Sequence, residues 1–214
     1  MAGKTKLPKC WVEGTDDVHT LVQLLDRHGI KLDKDKGPVC FHNSGSIDKL
    51  LPSIPLAVNE ATPGNPVGFV VDANSSIKDR WESIKDKLKE FEIDLPDDIP
   101  GGGFIREIPD IKVRVGVWIM PDCETDQGKL EDFIIKLVPE NDELWDLAKS
   151  STTDAKSKGA KFSDNDEIKA QLHTWLAWQE KPGRPYGTAI NAKYFDCDSD
   201  AALRFVDWYK NLYK

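Results

Sequence analysis

The chain has 214 residues, with 37 acidic against 29 basic side chains and a formal net charge of −8. Seven Trp, eight Phe and four Tyr demand a packed core, which excludes a disordered chain, and four Cys with 15 Gly exclude a disulfide-dense or collagen-like scaffold. The acidic balance argues against a protein that coats nucleic acid by bulk positive charge, but not against an enzyme that holds it through metal ions and a local basic patch.

Residues 7–12 read as a short strand. Thr15 then offers an N-cap, Asp16 and Asp17 suit a first helical turn, and Val18, Leu21, Val22 and Leu25 recur at helical spacing until Gly29. Residues 39–41 read as a second strand, and 46–51 as a short helix stopped by Pro52. Residues 67–71 form a continuous apolar run, the mark of a buried parallel strand. Ile77, Trp81, Ile84, Leu88 and Phe91 make one face of a long helix. Residues 94–110, rich in Pro and Gly, read as a loop, and 113–120 as the strongest strand of the chain. Leu130, Phe133, Ile134 and Leu137 return to helical spacing. This alternation predicts an α/β fold with a mostly parallel sheet flanked by helices.

The last third changes character. Residues 151–166 are polar and read as a flexible loop. Ile168, Leu172, Trp175 and Leu176 make a helix face, Pro182, Gly183 and Pro185 a turn, and Ala202, Phe205, Val206 and Tyr209 a terminal helix. The expected organisation is an α/β domain over 1–150 and a helical extension over 151–214 packed on it as one structural unit, because so short a segment cannot bury much core alone.

Cys10, Cys40, Cys123 and Cys197 fit no zinc spacing. Cys10 and Cys40 lie in apolar runs and read as small core residues. The basic N-terminal stretch MAGKTKLPKCW has no apolar segment behind it, so it does not read as a signal peptide. No apolar run approaches the ~20 residues of a membrane span. The expectation is a cytoplasmic protein with reduced thiols and no membrane contact.

What ends each strand is informative. The first runs into Glu13-Gly14, the third into Asp72 and the fourth into Asp122. In a parallel sheet these ends share the edge where ligands bind. Asp17, on the first helical turn, joins them. Asp72, Asn74 and Ser75 also suit caps of the following helix, whereas Glu13 is a poor N-cap. Converging carboxylates repel one another unless a cation lies between them. An all-oxygen donor set without His or Cys selects Mg²⁺ or Mn²⁺ over zinc.

At WVEGTDD the sequence resembles a Toprim domain, the fold shared by topoisomerases, bacterial primases and nucleases of the overcoming-lysogenization-defect type. Glu13 and Gly14 match its first motif, and Asp17 the acid four residues on. Asp72-Ala73-Asn74 matches only the first position of its Asp-x-Asp motif. Asp122, or Glu131 on the next helix, loosely matches a later acid. The stretches VVDANSSIKDRWESI, GVWIMPDCETDQGKLEDF and KAQLHTWLAWQEKPGRPYG resemble an uncharacterised family of small prokaryotic Toprim-like proteins, often encoded beside an ABC/AAA-type ATPase. The resemblance implies a Toprim-like (Rossmann-like) sheet and a metal-dependent nuclease acting on DNA or RNA, the effector of a two-component anti-phage defence system. It implies Glu13 and Asp72 as catalytic residues, and Mg²⁺ or Mn²⁺ held by Glu13, Asp17, Asp72, Asp122 and Glu131. Asn74 is the departure, since an amide oxygen brings no charge. Glu131 or Glu124 compensates if their loop folds back. The rival expectation is a non-catalytic interaction protein that regulates, or is regulated by, the ATPase.

Lys181 and Arg184 form a small basic stretch suited to guide a phosphate backbone toward the acidic edge. His173, with Trp175 and Trp178, is either a core-helix residue or a contact to nucleic acid or a partner. Gly101-Gly102-Gly103 lacks the Lys-Ser/Thr of a phosphate-binding loop. Ser44 and Ser46 lack a His-based activating pattern. A homodimer is the default assembly only because closed symmetric dimers are common.

Overall fold

Strands and helices alternate from Lys9 onward. The computed structural model describes residues 7–32 and 39–214; residues 1–6, where most of the basic N-terminal stretch falls, lie outside the described residues. The order is β1 (Lys9–Val12), α1 (Thr15–Arg27), β2 (Cys40–Asn43), α2 (Ile47–Asn59), β3 (Val67–Asp72), α3 (Ile77–Leu88), β4 (Phe104–Ile108), β5 (Val113–Met120) and α4 (Leu130–Ile135). Four more helices follow: α5 (Glu143–Ser157), α6 (Glu167–Ala177), α7 (Tyr186–Asn191) and α8 (Asp200–Leu212).

The five strands form one sheet in the order β2-β1-β3-β5-β4. All neighbours are parallel except β4, which runs antiparallel to β5 at the edge. This confirms the α/β class and the mostly parallel sheet. β1 lies between β2 and β3, with Val12 opposite Val70. The chain leaves β1 toward one side and returns across it to the other. That reversal of winding direction separates the loops at the carboxyl ends of β1 and β3, where an open α/β sheet binds its ligands.

The C-terminal helices complete the core. Gly68 and Gly116 face each other in register on β3 and β5. A Cβ on Gly116 would meet Leu212 Cδ2 at 2.5 Å, so the absence of side chains there is what lets the end of α8 lie against the sheet. Trp208 and Phe205 pack on Trp118, with ring centroids 5.8 and 5.5 Å away. The Trp208 indole N–H donates to the Phe104 carbonyl (3.2 Å), and the Tyr213 hydroxyl donates to the Lys9 carbonyl (2.8 Å).

The structure corrects four readings of the sequence. Helix α2 does not stop at Pro52 but runs through Pro52 and Pro55 to Asn59. Each proline removes one helical N–H, and the buried face of Leu50, Ile54, Ala57 and Val58 offsets the loss. Within the expected 94–110 loop lies β4, five residues with Phe104 and Ile108 buried, hidden by its Pro/Gly-rich flank. Residues 151–157 are not loop but the second half of α5, which crosses residue 150. Asp142 caps it by accepting from the Trp145 N–H (3.0 Å), and Ala148 and Thr152 are its buried residues. The N-cap of α1 is Gly14, one residue before the expected Thr15.

Cys10, Cys123 and Cys197 are buried and Cys40 half-buried, and all four thiols are free. Among the described residues no helix is long and apolar enough to cross a membrane.

Candidate functional site

The site is assembled at the switch between β1 and β3. Glu13 follows the last residue of β1, and its Oε1 accepts the backbone N–H of Asp72 at 2.8 Å. That bond ties the two strand ends and orients one carboxylate across the gap. The chain then turns at Gly14, whose N–H donates to Asp17 Oδ2 (2.9 Å), so that the third residue of α1 caps the helix start from its own side chain. A Cβ on Gly14 would stand 3.1 Å from that carboxylate, so glycine leaves room for Asp17 to fold back over the strand end. The Glu-Gly-x-x-Asp spacing thus returns both acids to one place.

The fourth acid arrives from the far side of β5. The loop after β5 folds back on the loop after β3 through a pair of backbone hydrogen bonds, Asn74 N–H to Gly128 O (2.7 Å) and Gly128 N–H to Asn74 O (2.9 Å). The Ile77 N–H adds a third, to Asp126 O (2.6 Å). This seats the first turn of α4 above Asp72 and brings in Glu131, which is buried with 8% exposure. Asn74 itself sits in the left-handed region (φ 56°) with its side chain exposed. Asn tolerates that conformation better than most residues.

The electrostatics show that the four acids share one field. Burial raises the Asp72 carboxyl from its ordinary range to about 8, and repulsion by Glu13, Asp17 and Glu131 adds to it. Burial raises Asp17 to about 7 against the Gly14 N–H, helped by Glu13 and Glu131. Burial also raises Glu13, opposed by the Asp72 N–H and the Arg80 guanidinium. Asp72 Oδ1 is buried without a hydrogen-bond partner. An orphaned buried carboxylate oxygen amid three further carboxylates is the environment a hard cation relieves.

Among the described residues no three His, Cys, Asp or Glu side chains already stand arranged as a metal-holding group. The donor chemistry nonetheless fits a divalent cation with oxygen ligands: Glu13, Asp17, Asp72 and Glu131 are the residues that would hold it, and Mg²⁺ characteristically keeps several of its waters.

The structure sets Asp122 apart. Burial pushes its carboxyl up, but the N–H groups of Thr125 (2.7 Å) and Glu124 (3.0 Å), the Thr125 hydroxyl and the Lys136 ammonium (3.1 Å) outweigh it and hold the group at about 2. Its oxygens are spent bracing its own loop, and it is not among the charges that raise Asp72 or Asp17. Glu124 is exposed and pairs with Arg204 at 3.0 Å. Lys181 and Arg184 occupy the turn between α6 and α7, where the Lys181 N–H donates to the Tyr194 hydroxyl (3.0 Å) and the Arg184 guanidinium lies over the Tyr194 ring.

Three side chains join the site without having been singled out for it in the sequence. Arg80, early in α3, donates from Nε to the Asp72 carbonyl (2.7 Å) and holds its charge near Glu13. Lys169, on α6, stands 3.5 Å from Glu131 Oε1. Tyr186, on α7, has its hydroxyl 3.4 Å from His173 Nε2. Burial lowers His173, as does Lys169, while Glu131 and Asp16 pull it the other way, so α6 faces the acids. A lone Arg on the helix leaving an acidic strand end was the one sequence signal for Arg80.

No curated protein and no solved structure matches the chain. The family described as "Protein of unknown function (DUF3226)" matches residues 8–214, sheet, acid cluster and C-terminal helices together, and the chain belongs to that family.

Proposed function

We propose that the chain is a Toprim-like, metal-dependent nuclease that cleaves phosphodiester bonds of DNA or RNA, with Glu13, Asp17, Asp72 and Glu131 holding Mg²⁺ or Mn²⁺. The observation that carries this reading is the unpartnered, buried Asp72 Oδ1 amid three other acids at the switch of a parallel sheet. A bound divalent cation supplies charge stabilisation at a phosphoryl oxygen and a more acidic water. The protein's own residues prepare the place. Glu13, fixed by the Asp72 N–H, presents its second carboxylate oxygen as a proton acceptor for an attacking water. Arg80, with its Nε anchored on the Asp72 carbonyl, offers the rest of its guanidinium to a phosphate. Asp122 is assigned to bracing the loop that carries α4, not to holding metal.

The test is incubation of the purified protein with single- and double-stranded DNA and RNA and Mg²⁺ or Mn²⁺, alone and with an ABC/AAA-type ATPase encoded beside it. Metal-dependent cleavage lost in Glu13→Gln is the expected result. Cleavage undiminished in Glu13→Gln removes the site.

Asn74 supports a second reading. The position that would be the second acid of an Asp-x-Asp pair carries no charge and points to solvent. In that reading the chain is a non-catalytic Toprim-like partner of the ATPase, and no cleavage under any metal, together with tight ATPase binding, is its signature. The cytoplasmic location, the role in phage defence and a homodimeric state belong to the same proposal and rest on the resemblance and on base expectation.

A further inference from the structure

The C-terminal helices do more than complete the core. Lys129 Nζ donates to the Asn165 carbonyl (2.9 Å), which ties the start of α4 to the segment entering α6. On the first turn of α6, Lys169 then reaches Glu131 Oε1 at 3.5 Å. A lysine there sits at the positive end of the helix macrodipole, where a cation is disfavoured, so its placement does not serve the helix. The contact is also loose. A separation of 3.5 Å exceeds that of a well-formed charge-assisted bond, and the lysine side chain is 43% exposed while that of Glu131 is 11% exposed. The ammonium, still largely open to water, is therefore able to exchange this partner for another anion. Arg80 holds the opposite flank, beside Glu13 and Asp72. A nucleic-acid strand approaching this edge meets four acids, and only cations standing beside them make the approach favourable.

We infer that Lys169 is a substrate-binding residue, contributed by the C-terminal helices, which contacts a backbone phosphate of a nucleic acid seated on the acid cluster. The inference rests on the nuclease reading and adds a residue to it. It also makes the site composite: the sheet edge supplies the acids and Arg80, and α6 supplies the second cation.

The experiment is equilibrium binding of short fluorescein-labelled DNA and RNA oligonucleotides in Ca²⁺, titrated with KCl, by full-length wild type, Lys169→Gln, Lys169→Arg and a control, Lys158→Gln. Lys158 is an exposed lysine past the end of α5 paired with Asp154, so the control removes an equal charge elsewhere. Lys169→Gln is expected to weaken binding roughly tenfold and to lower the salt slope by about one. Lys169→Arg retains most of the affinity, and Lys158→Gln stays within about twofold of wild type. Thermal melting without nucleic acid checks that Lys169→Gln is folded; a purely structural lysine would move the melt and leave the salt slope intact. Wild-type affinity and slope in Lys169→Gln, or an equal loss in Lys158→Gln, overturns the inference while leaving the nuclease reading standing. Failure of the wild type to bind or cleave any oligonucleotide overturns both.

Discussion

The sharpest consequence of the acid cluster is that the protein should gain stability when Asp72 loses its charge. Burial and three neighbouring acids raise the Asp72 carboxyl from 3.8 to about 8. For an acid whose folded value lies above its unfolded one, the folded state binds more protons, so stability is full below about pH 4 and declines as pH rises toward 8. At pH 7 the folded chain holds a proton that the unfolded chain released about three units lower. At 1.36 kcal/mol per unit, that is a ceiling of about 4 kcal/mol against folding. Asp72 is coupled to Glu13 and Asp17, so one substitution recovers only part of it, on the order of 2 kcal/mol. Asp72→Asn keeps the shape and removes the charge. In EDTA at pH 7.5, Asp72→Asn should melt roughly 4–8 °C above wild type for a chain of this size. The difference should narrow as pH falls and vanish only below about pH 4, where the carboxyl of the unfolded chain is protonated as well. Added Mg²⁺ should raise the melting temperature of wild type and leave Asp72→Asn nearly unmoved. Calorimetry or dye-monitored melting across the pH series reads all three. A wild-type stability advantage in EDTA at pH 7.5, or a difference independent of pH, would refute the reasoning.

Cleavage in limiting Mg²⁺ should rise between about pH 6 and pH 8.5, because Asp17 and Asp72 must lose protons to become ligands, and a higher metal concentration should move that rise to lower pH; initial rates against pH at two metal concentrations test it. Glu13→Gln should lower kcat by at least about a hundredfold with little change in melting temperature, since the amide oxygen still accepts the Asp72 N–H. Asp122→Asn should behave oppositely, losing about 1–2 kcal/mol of stability at pH 7 while cleavage stays within roughly twofold. The folded Asp122 carboxyl is held at about 2, so its contribution is present above pH 4 and lost as pH falls through 2. Gly116→Ala should destabilise by about 1–3 kcal/mol because its Cβ would meet Leu212, and combining it with Leu212→Ala should cost less than the sum of the two changes, as chemical denaturation will show.

The sheet was legible because its central strands, β3 and β5, are almost continuously apolar, which only burial on both faces explains. The acids at the ends of β1 and β3 were legible for a related reason: once the strands are parallel, position along the chain becomes position on one edge. The elements that escaped are those whose local chemistry argues for something else. Pro52 and Pro55 read as breaks, and Ser151, Thr152 and Thr153 as loop, because the packing that overrides propensity lies on distant residues.

The same asymmetry divides the site. An acid after a strand is conspicuous, since a carboxylate in a buried setting needs a reason. A lysine or arginine on a helix needs none, so Arg80 and Lys169 look like solvated surface until the fold sets them beside Asp72, Glu13 and Glu131. Asp122 errs the other way. It follows a strand and is acidic, yet Thr125, Glu124 and Lys136 occupy its oxygens, a fact set two to fourteen residues further along the chain. Asn74 has an explanation in the backbone. Its backbone is left-handed and doubly bonded to Gly128, and that pairing is what carries Glu131 over Asp72. Asn suits that left-handed turn better than most residues, and its outward side chain leaves Glu131 as the acid that this pairing adds beside Asp72.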